Sequence, residues 1–171
     1  MKGTGFFETT TQEYKYRVHD LNLEKEIAHG SKYDAIVCFD VLEHLLHNPS
    51  MFLYNVHTLL SDTGVFMMTT DNVARLINVV KLMLGMNIYF PLESPYYVRH
   101  NREYTLKEMT DLLTGTGFNV LRGCRFNFLP VYPSRSQTQV YRLLNLISEI
   151  PGFRRHKRHM FFAGEKKQEP Q

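Results

Sequence analysis

The sequence predicts an α/β fold, a three-layer sandwich around a mostly parallel sheet, and three observations carry that prediction. The first is Ala35 to Phe39, AIVCF, a short unbroken apolar run. A strand buried on both faces has no reason to alternate, so this run reads as a central parallel strand. The second is a similar run at Val65 to Thr70, VFMMTT. The third is the amphipathic stretch between them, which has the length and pattern of the crossover helix that parallel strands require.

Each element follows from local signals. Met1 to Phe7 is Gly-rich and reads as the tail of a strand, and Tyr14 to His19, YKYRVH, alternates like a strand that ends at Asp20. Leu23 to His29 can make one or two helical turns before Gly30-Ser31 breaks them. The central strand stops at Asp40, and Glu43 stands at the spacing of a capping box, so the strand is expected to hand over directly to a helix N-terminus. In open α/β sheets ligands bind at such handovers. Asn48-Pro49 opens the crossover helix, with Met51, Phe52, Val56, Leu59 and Leu60 on one face up to the Ser61–Gly64 turn.

Beyond the second strand, Asp71 or Asn72 can cap a helix that runs to Gly85. That helix is apolar on more than one face, and core burial is the expected cover for it. A lid contact, a homo-oligomer or a peripheral membrane contact would each cover it too. Asn87 to Arg102 holds two prolines and an aromatic cluster, a loop of the kind that carries specificity. Thr105 with Glu108 makes a second capping box, and the helix it starts stops at Gly115 or Gly117. Phe118 to Phe126 reads as a strand. Arg135 to Ile150 reads as an amphipathic helix with Val140, Leu143, Leu144 and Ile147 inward, and Met160 to Ala163 as a last strand.

A chain of 171 residues, 43% of them hydrophobic, supports one domain with a real core, residues 1–171. The net charge of +3 and pI near 8.8 are too mild to indicate nucleic acid. The basic run Phe153 to His159, FRRHKRH, reads as a charged turn before an edge strand. Cys38 and Cys124 fall inside predicted strands without disulfide or zinc spacing and read as small buried hydrophobes in a reducing compartment. No signal pattern and no apolar run of about 20 residues is present, so a cytoplasmic protein without a transmembrane segment is expected. His44 and His47 could share a metal on a helix, but spacing supplies no third ligand, and no metal is expected. Arg99, His100, Arg102 and Tyr104 cluster before a helix and form a candidate site for an anionic or sugar substrate.

YDAIVCFDVLEHLLHNP at Tyr33 to Pro49, then VFMMTT and DNVARL, and RHNREYTLKEMTDLLTGTGF at Arg99 to Phe118 together resemble class I S-adenosylmethionine-dependent methyltransferases. The nearest subgroup is type 11/type 23-like. The resemblance spans about Tyr14 to Phe118 and implies a Rossmann-like methyltransferase sheet with S-adenosylmethionine as cofactor. It places Asp20 and Leu21 against the adenine, and Phe39, Asp40 and Val41 against the cofactor beside the central strand. Methyl transfer is an in-line displacement that needs alignment, plus a base only if the acceptor carries a proton. His44, in the first turn after the central strand, is the candidate base.

Two departures from the family pattern concern the cofactor half. The glycine-rich loop is missing, since Gly3-Thr4-Gly5 and Gly115-Thr116-Gly117 do not join a strand to a helix, and Gly5 stands where the ribose-binding acid is expected. The domain is therefore expected to be N-terminally truncated. Residues 1–30 would be a remnant of the cofactor half and 31–72 the central strands. Residues 73–104 would form the substrate and lid region, and 105–165 the C-terminal helices and strands. The implied activity is methyl transfer to a small molecule, a sugar or lipid-linked saccharide. The alternative is a catalytically incomplete relative that acts as a binding or assembly module.

Overall fold

The structure is a computed structural model that describes residues 4–9, 12–17, 32–91, 93–94, 99–128 and 135–167. Its main sheet has four strands in the order β3-β4-β6-β5: β3 (Tyr33–Phe39), β4 (Leu60–Asp71), β6 (His159–Lys166) and β5 (Phe118–Phe126). β3 and β4 pair in parallel, as the crossover helix between them requires. β6 is antiparallel to both β4 and β5, so three of the four strands run one way and β6 is inserted against them. β4 alternates, with Phe66, Met68 and Thr70 buried on one face. Phe162 and Met160 of β6 stand beside Met68 and Thr70 on that face.

Two helices cover the buried face. α1 (Ser50–Leu59) contributes Leu53 and Val56, and α3 (Leu106–Gly115) contributes Met109 and Leu113, to one core with Phe66, Phe118 and Phe162. Asn48 Oδ1 accepts from Ser50 N at 2.9 Å, but the cap position of α1 is Pro49, so the helix starts one residue later than expected and the proline precedes its first residue. Thr105 and Glu108 form the anticipated capping box on α3, and Gly117, at φ 91°, ends the turn after it. α2 (Leu76–Met83) packs against α4 (Arg135–Glu149). No helix among the described residues is long and apolar enough to cross a membrane.

Several expectations need correction. The strand after the basic turn, foreseen at an edge, is β6 and lies between β4 and β5, and α2 starts at Leu76 behind Arg75 without an Asp71 or Asn72 cap. β3 is not buried on both faces: only Cys38 is fully buried, while Val37 is 58% and Phe39 56% exposed, because β3 ends the four-strand order. The strand foreseen at Tyr14 to His19 is β2 (Gln12–Arg17), and it pairs antiparallel with β1 (Thr4–Thr9) in a separate two-stranded sheet. The two residues between them allow a hairpin, whereas a parallel pairing needs a connection of a dozen or more. The C-terminal end of α2 is not buried, since Leu82, Met83 and Leu84 are all exposed. In α4, Val140 and Leu143 are also exposed, and the inward positions are Leu144, Ile147 and Ser148.

Candidate active site

The site is built where β3 and β4 end side by side. Asp40 leaves β3 in the left-handed backbone region, at φ 52°, and its amide donates to the Thr69 carbonyl at 3.1 Å. Its carboxylate accepts from the Thr69 hydroxyl at 2.8 Å, so it ties the strand ends together and caps no helix. The expected Asp40–Glu43 capping box is therefore absent. A single 3-10 turn, Leu42–His44, follows instead of a longer helix. Leu42 and Leu45 anchor this turn in the core and carry Glu43 inward with them.

Glu43 is 1% exposed, and its Oε2 accepts from the Thr70 hydroxyl at 2.8 Å. Burial, with a smaller push from Asp40, raises its carboxyl to about 7 against the pull of its own amide, Thr70 and His100. The Glu43 carbonyl accepts from Asn101 N at 2.7 Å and Arg102 N at 3.3 Å, and Asn101 Nδ2 donates to the His44 carbonyl at 2.8 Å. The loop around residue 100 is thereby stitched to the turn after β3. His44 Nδ1 lies 3.0 Å from the Arg99 carbonyl, and the His44 and His100 rings meet edge-on with centroids 4.9 Å apart.

Behind His100 lies an ion cluster. Arg75 binds Glu103 through two hydrogen bonds of 2.7 Å and reaches Asp71 at 3.2 Å. His100 Nδ1 lies 2.7 Å from Glu103 Oε1 and 3.3 Å from Asp71 Oδ2. Burial alone would lower the His100 pKa, but the Glu103 bond and the Asp71, Glu103 and Glu43 charges outweigh it and raise the value. Burial opposes ionisation of Glu103 as well, yet its bonds to His100 and Arg75 hold its pKa below the usual carboxylate value. His159 Nδ1 approaches Asp71 Oδ1 at 3.0 Å without hydrogen-bond geometry, and its pKa is lowered chiefly by burial.

Next to these groups is a cavity of about 380 Å³ with Tyr89 and Phe90 among its apolar residues and His100, Asn101, Arg102 and Glu103 among its polar ones. Of the residues singled out from sequence, the structure brings His44, Arg99 and His100 together at the strand ends. Phe39, Asp40 and Val41 form the adjacent turn. Arg102 lines the cavity and pairs with Glu108 at 3.3 Å. Tyr104 is 4% exposed and belongs to the core, where it bridges Asn72, so it is packed inward and is absent from the cavity lining. Asp20 and Leu21 lie outside the described residues. His47 is exposed and beyond the short turn that holds His44. The sequence reading missed Glu43 as a site group, and with it Asp71, Arg75 and Glu103. The adjacent Glu43-His44 pair and the second acid at Glu103 beside His100 were the available signals.

This architecture, with parallel strand ends carrying the site and an antiparallel strand inserted near the sheet edge, defines a Rossmann-like methyltransferase fold. Residues 4–122 match the family described as "Methyltransferase domain", and the chain belongs to that family. No curated protein matches it. Among solved structures it is similar to an S-adenosylmethionine-dependent methyltransferase of Thermotoga maritima, with 16% identity and a TM-score of 0.54 over 84% of this chain and 60% of that one. Methyltransferases of Clostridium acetobutylicum (12% identity, TM-score 0.52, 88% of this chain and 63% of that one) and Mesorhizobium loti (15%, 0.51, 86% and 67%) share the fold. The chain thus spans 63% of the Clostridium protein's length.

Family membership implies S-adenosylmethionine as cofactor. The turn the resemblance assigns to it, Phe39–Val41, has an exposed Phe39 side chain and a left-handed corner at Asp40. A glycine-rich loop for the cofactor has no counterpart among the described residues.

Proposed function

We propose that this chain carries the acceptor side of an S-adenosylmethionine-dependent methyl-transfer site for a small molecule, a sugar or lipid-linked saccharide. One observation carries the reading: the cavity beside the β3 and β4 ends combines aromatic rings with carboxylates, an amide and a guanidinium. Such a lining suits a hydroxylated ring, which can stack on Tyr89 or Phe90 while Glu103, Asn101 and Arg102 order its hydroxyls. The cofactor supplies an electrophilic methyl group on a sulfonium. Phe39–Val41 would hold it at the end of β3. His44, with Nδ1 on the Arg99 carbonyl, keeps the lone pair of Nε2 for the acceptor's hydroxyl proton. Arg99 and Arg102 would hold an anionic group of the acceptor. The setting proposed is one cytoplasmic domain, with self-association as a further property.

The test is a nuclear magnetic resonance titration of the chain with S-adenosylhomocysteine and with a panel of saccharides and saccharide phosphates. Cofactor product should shift the Phe39–Val41 amides weakly, and an acceptor should shift Tyr89 to Arg102. Calorimetry should give an affinity at least ~10-fold weaker than a complete site, about 1.4 kcal/mol per decade. Saccharides that leave Tyr89 to Arg102 unmoved would remove the acceptor reading. A second reading, an assembly module without catalysis, has one observation in its favour: the outer edge of β3 pairs with no strand among the described residues. Methyl transfer from labelled cofactor to any panel member would exclude it.

A further inference from the structure

We propose that Glu43, His44 and His100 bind a divalent first-row transition cation of the Mn²⁺, Co²⁺ and Zn²⁺ class. Each offers one ligand atom, and the three atoms lie within 4.8 Å of one another. Sequence spacing hides the site, because the third ligand comes from the loop that the Glu43 carbonyl holds through Asn101 N and Arg102 N. The backbone therefore assembles the three side chains by itself.

The surrounding bonds are those that orient metal ligands. His44 Nδ1 is placed on the Arg99 carbonyl at 3.0 Å and His100 Nδ1 on the Glu103 carboxylate at 2.7 Å. An oxygen acceptor at Nδ1 fixes the proton there and leaves Nε2 as the donor nitrogen in both rings. The Thr70 hydroxyl fixes one oxygen of Glu43. Two imidazoles and a carboxylate suit transition cations better than Mg²⁺ or Ca²⁺. The neighbouring group of Asp71, His100 and Glu103 is equally compact, but Arg75 already sits on both of its carboxylates and fills the place of a cation.

Three protein ligands leave coordination positions open to solvent or an acceptor oxygen. His100 also lines the cavity, so a bound cation would stand at its wall. There it could take an acceptor hydroxyl as a ligand, with the hydroxyl proton released to solvent, and His44 would serve as a ligand in place of a base. That role rests on the methyl-transfer reading; cation binding does not.

The experiment uses the chelator-stripped chain without cofactor, titrated with Co²⁺ and followed by visible absorption and by calorimetry. One equivalent should bind, with bands characteristic of nitrogen ligation. Glu43→Gln, His44→Asn and His100→Asn should each weaken binding at least ~10-fold, and Glu103→Gln, which acts through His100, by ~10–100-fold. His47→Asn, at an exposed neighbour, should leave binding unchanged. Melting curves accompany each variant, and Co²⁺ should raise the Tm of the wild type but not of His44→Asn, a half-buried position. No one-equivalent binding at sub-millimolar Co²⁺, or wild-type binding by a folded His44→Asn or His100→Asn, overturns the proposal.

Discussion

Asp40 and Thr69 are joined twice, amide to carbonyl at 3.1 Å and hydroxyl to carboxylate at 2.8 Å, and this pair fixes how β3 turns away from β4. Asp40 does so at φ 52°, a region that costs a β-branched residue about 1–2 kcal/mol. Asp40→Asn, which tolerates that backbone and keeps an acceptor, should change stability little. Asp40→Val should lose that backbone cost plus ~0.5–1.5 kcal/mol for the hydroxyl bond. Urea denaturation gives both values, and a Val variant as stable as wild type would mean the corner relaxes.

Arg75 is the counter-charge for two buried carboxylates. Its side chain is 13% exposed, against 7% for Asp71 and 10% for Glu103. Arg75→Met keeps the stem and removes the charge, leaving both acids uncompensated, and should destabilise by about 3–5 kcal/mol. Arg75→Lys should recover only part of this, because a single ammonium cannot reproduce the two-pronged contact with Glu103. A loss below about 1 kcal/mol in Arg75→Met would show that the acids take up protons or water at little cost.

The contrast between β5 and the Glu43 turn shows what could be read from sequence. β5 and the Thr105–Glu108 capping box depend on neighbours in the chain, so pattern and cap chemistry located them at their observed bounds. Glu43 carried the same local signature as Glu108, an acid three residues after a capping side chain. Its fate was decided by Leu42 and Leu45, which bury the turn, and by Thr70 and Asn101, which come from elsewhere in the chain. Tyr104 was drawn to the site by its neighbours His100 and Arg102, while its bridge to Asn72 placed it in the core. Burial of β3 depended on its place in the strand order, which no local pattern states.

Cys38 and Cys124 should differ sharply in reactivity. Burial, reinforced by Glu43 and Asp40, pushes the Cys38 thiol up to about 12, and the residue is 6% exposed. Cys124 is only partly buried. Iodoacetamide at pH 8 should modify Cys124 first and reach Cys38 only on unfolding, because the thiolate is the nucleophile. The raised value also has a sign: the folded state keeps a proton that the unfolded thiol loses, so this group's contribution to stability declines as pH rises from about 9 to about 12. Equal modification rates in native protein, read by mass spectrometry, would contradict the burial of Cys38.

The outer edge of β3 has no pairing partner among the described residues, and Val37 and Phe39 beside it are more than half exposed. An open edge next to exposed apolar side chains templates pairing with another chain, which native proteins suppress with charge or cover. The chain should therefore self-associate at micromolar concentration, and Val37→Lys should reduce that association without lowering the Tm, since the position is 58% exposed. Light scattering reads the association, and hydrogen exchange at Ala35 to Phe39 reads the edge. Amides freed by dilution should exchange faster in the dilute wild type than in the concentrated one. A monomer at all concentrations with strongly protected amides from Ala35 to Phe39 would mean that the chain pairs this edge itself, and the prediction would be wrong.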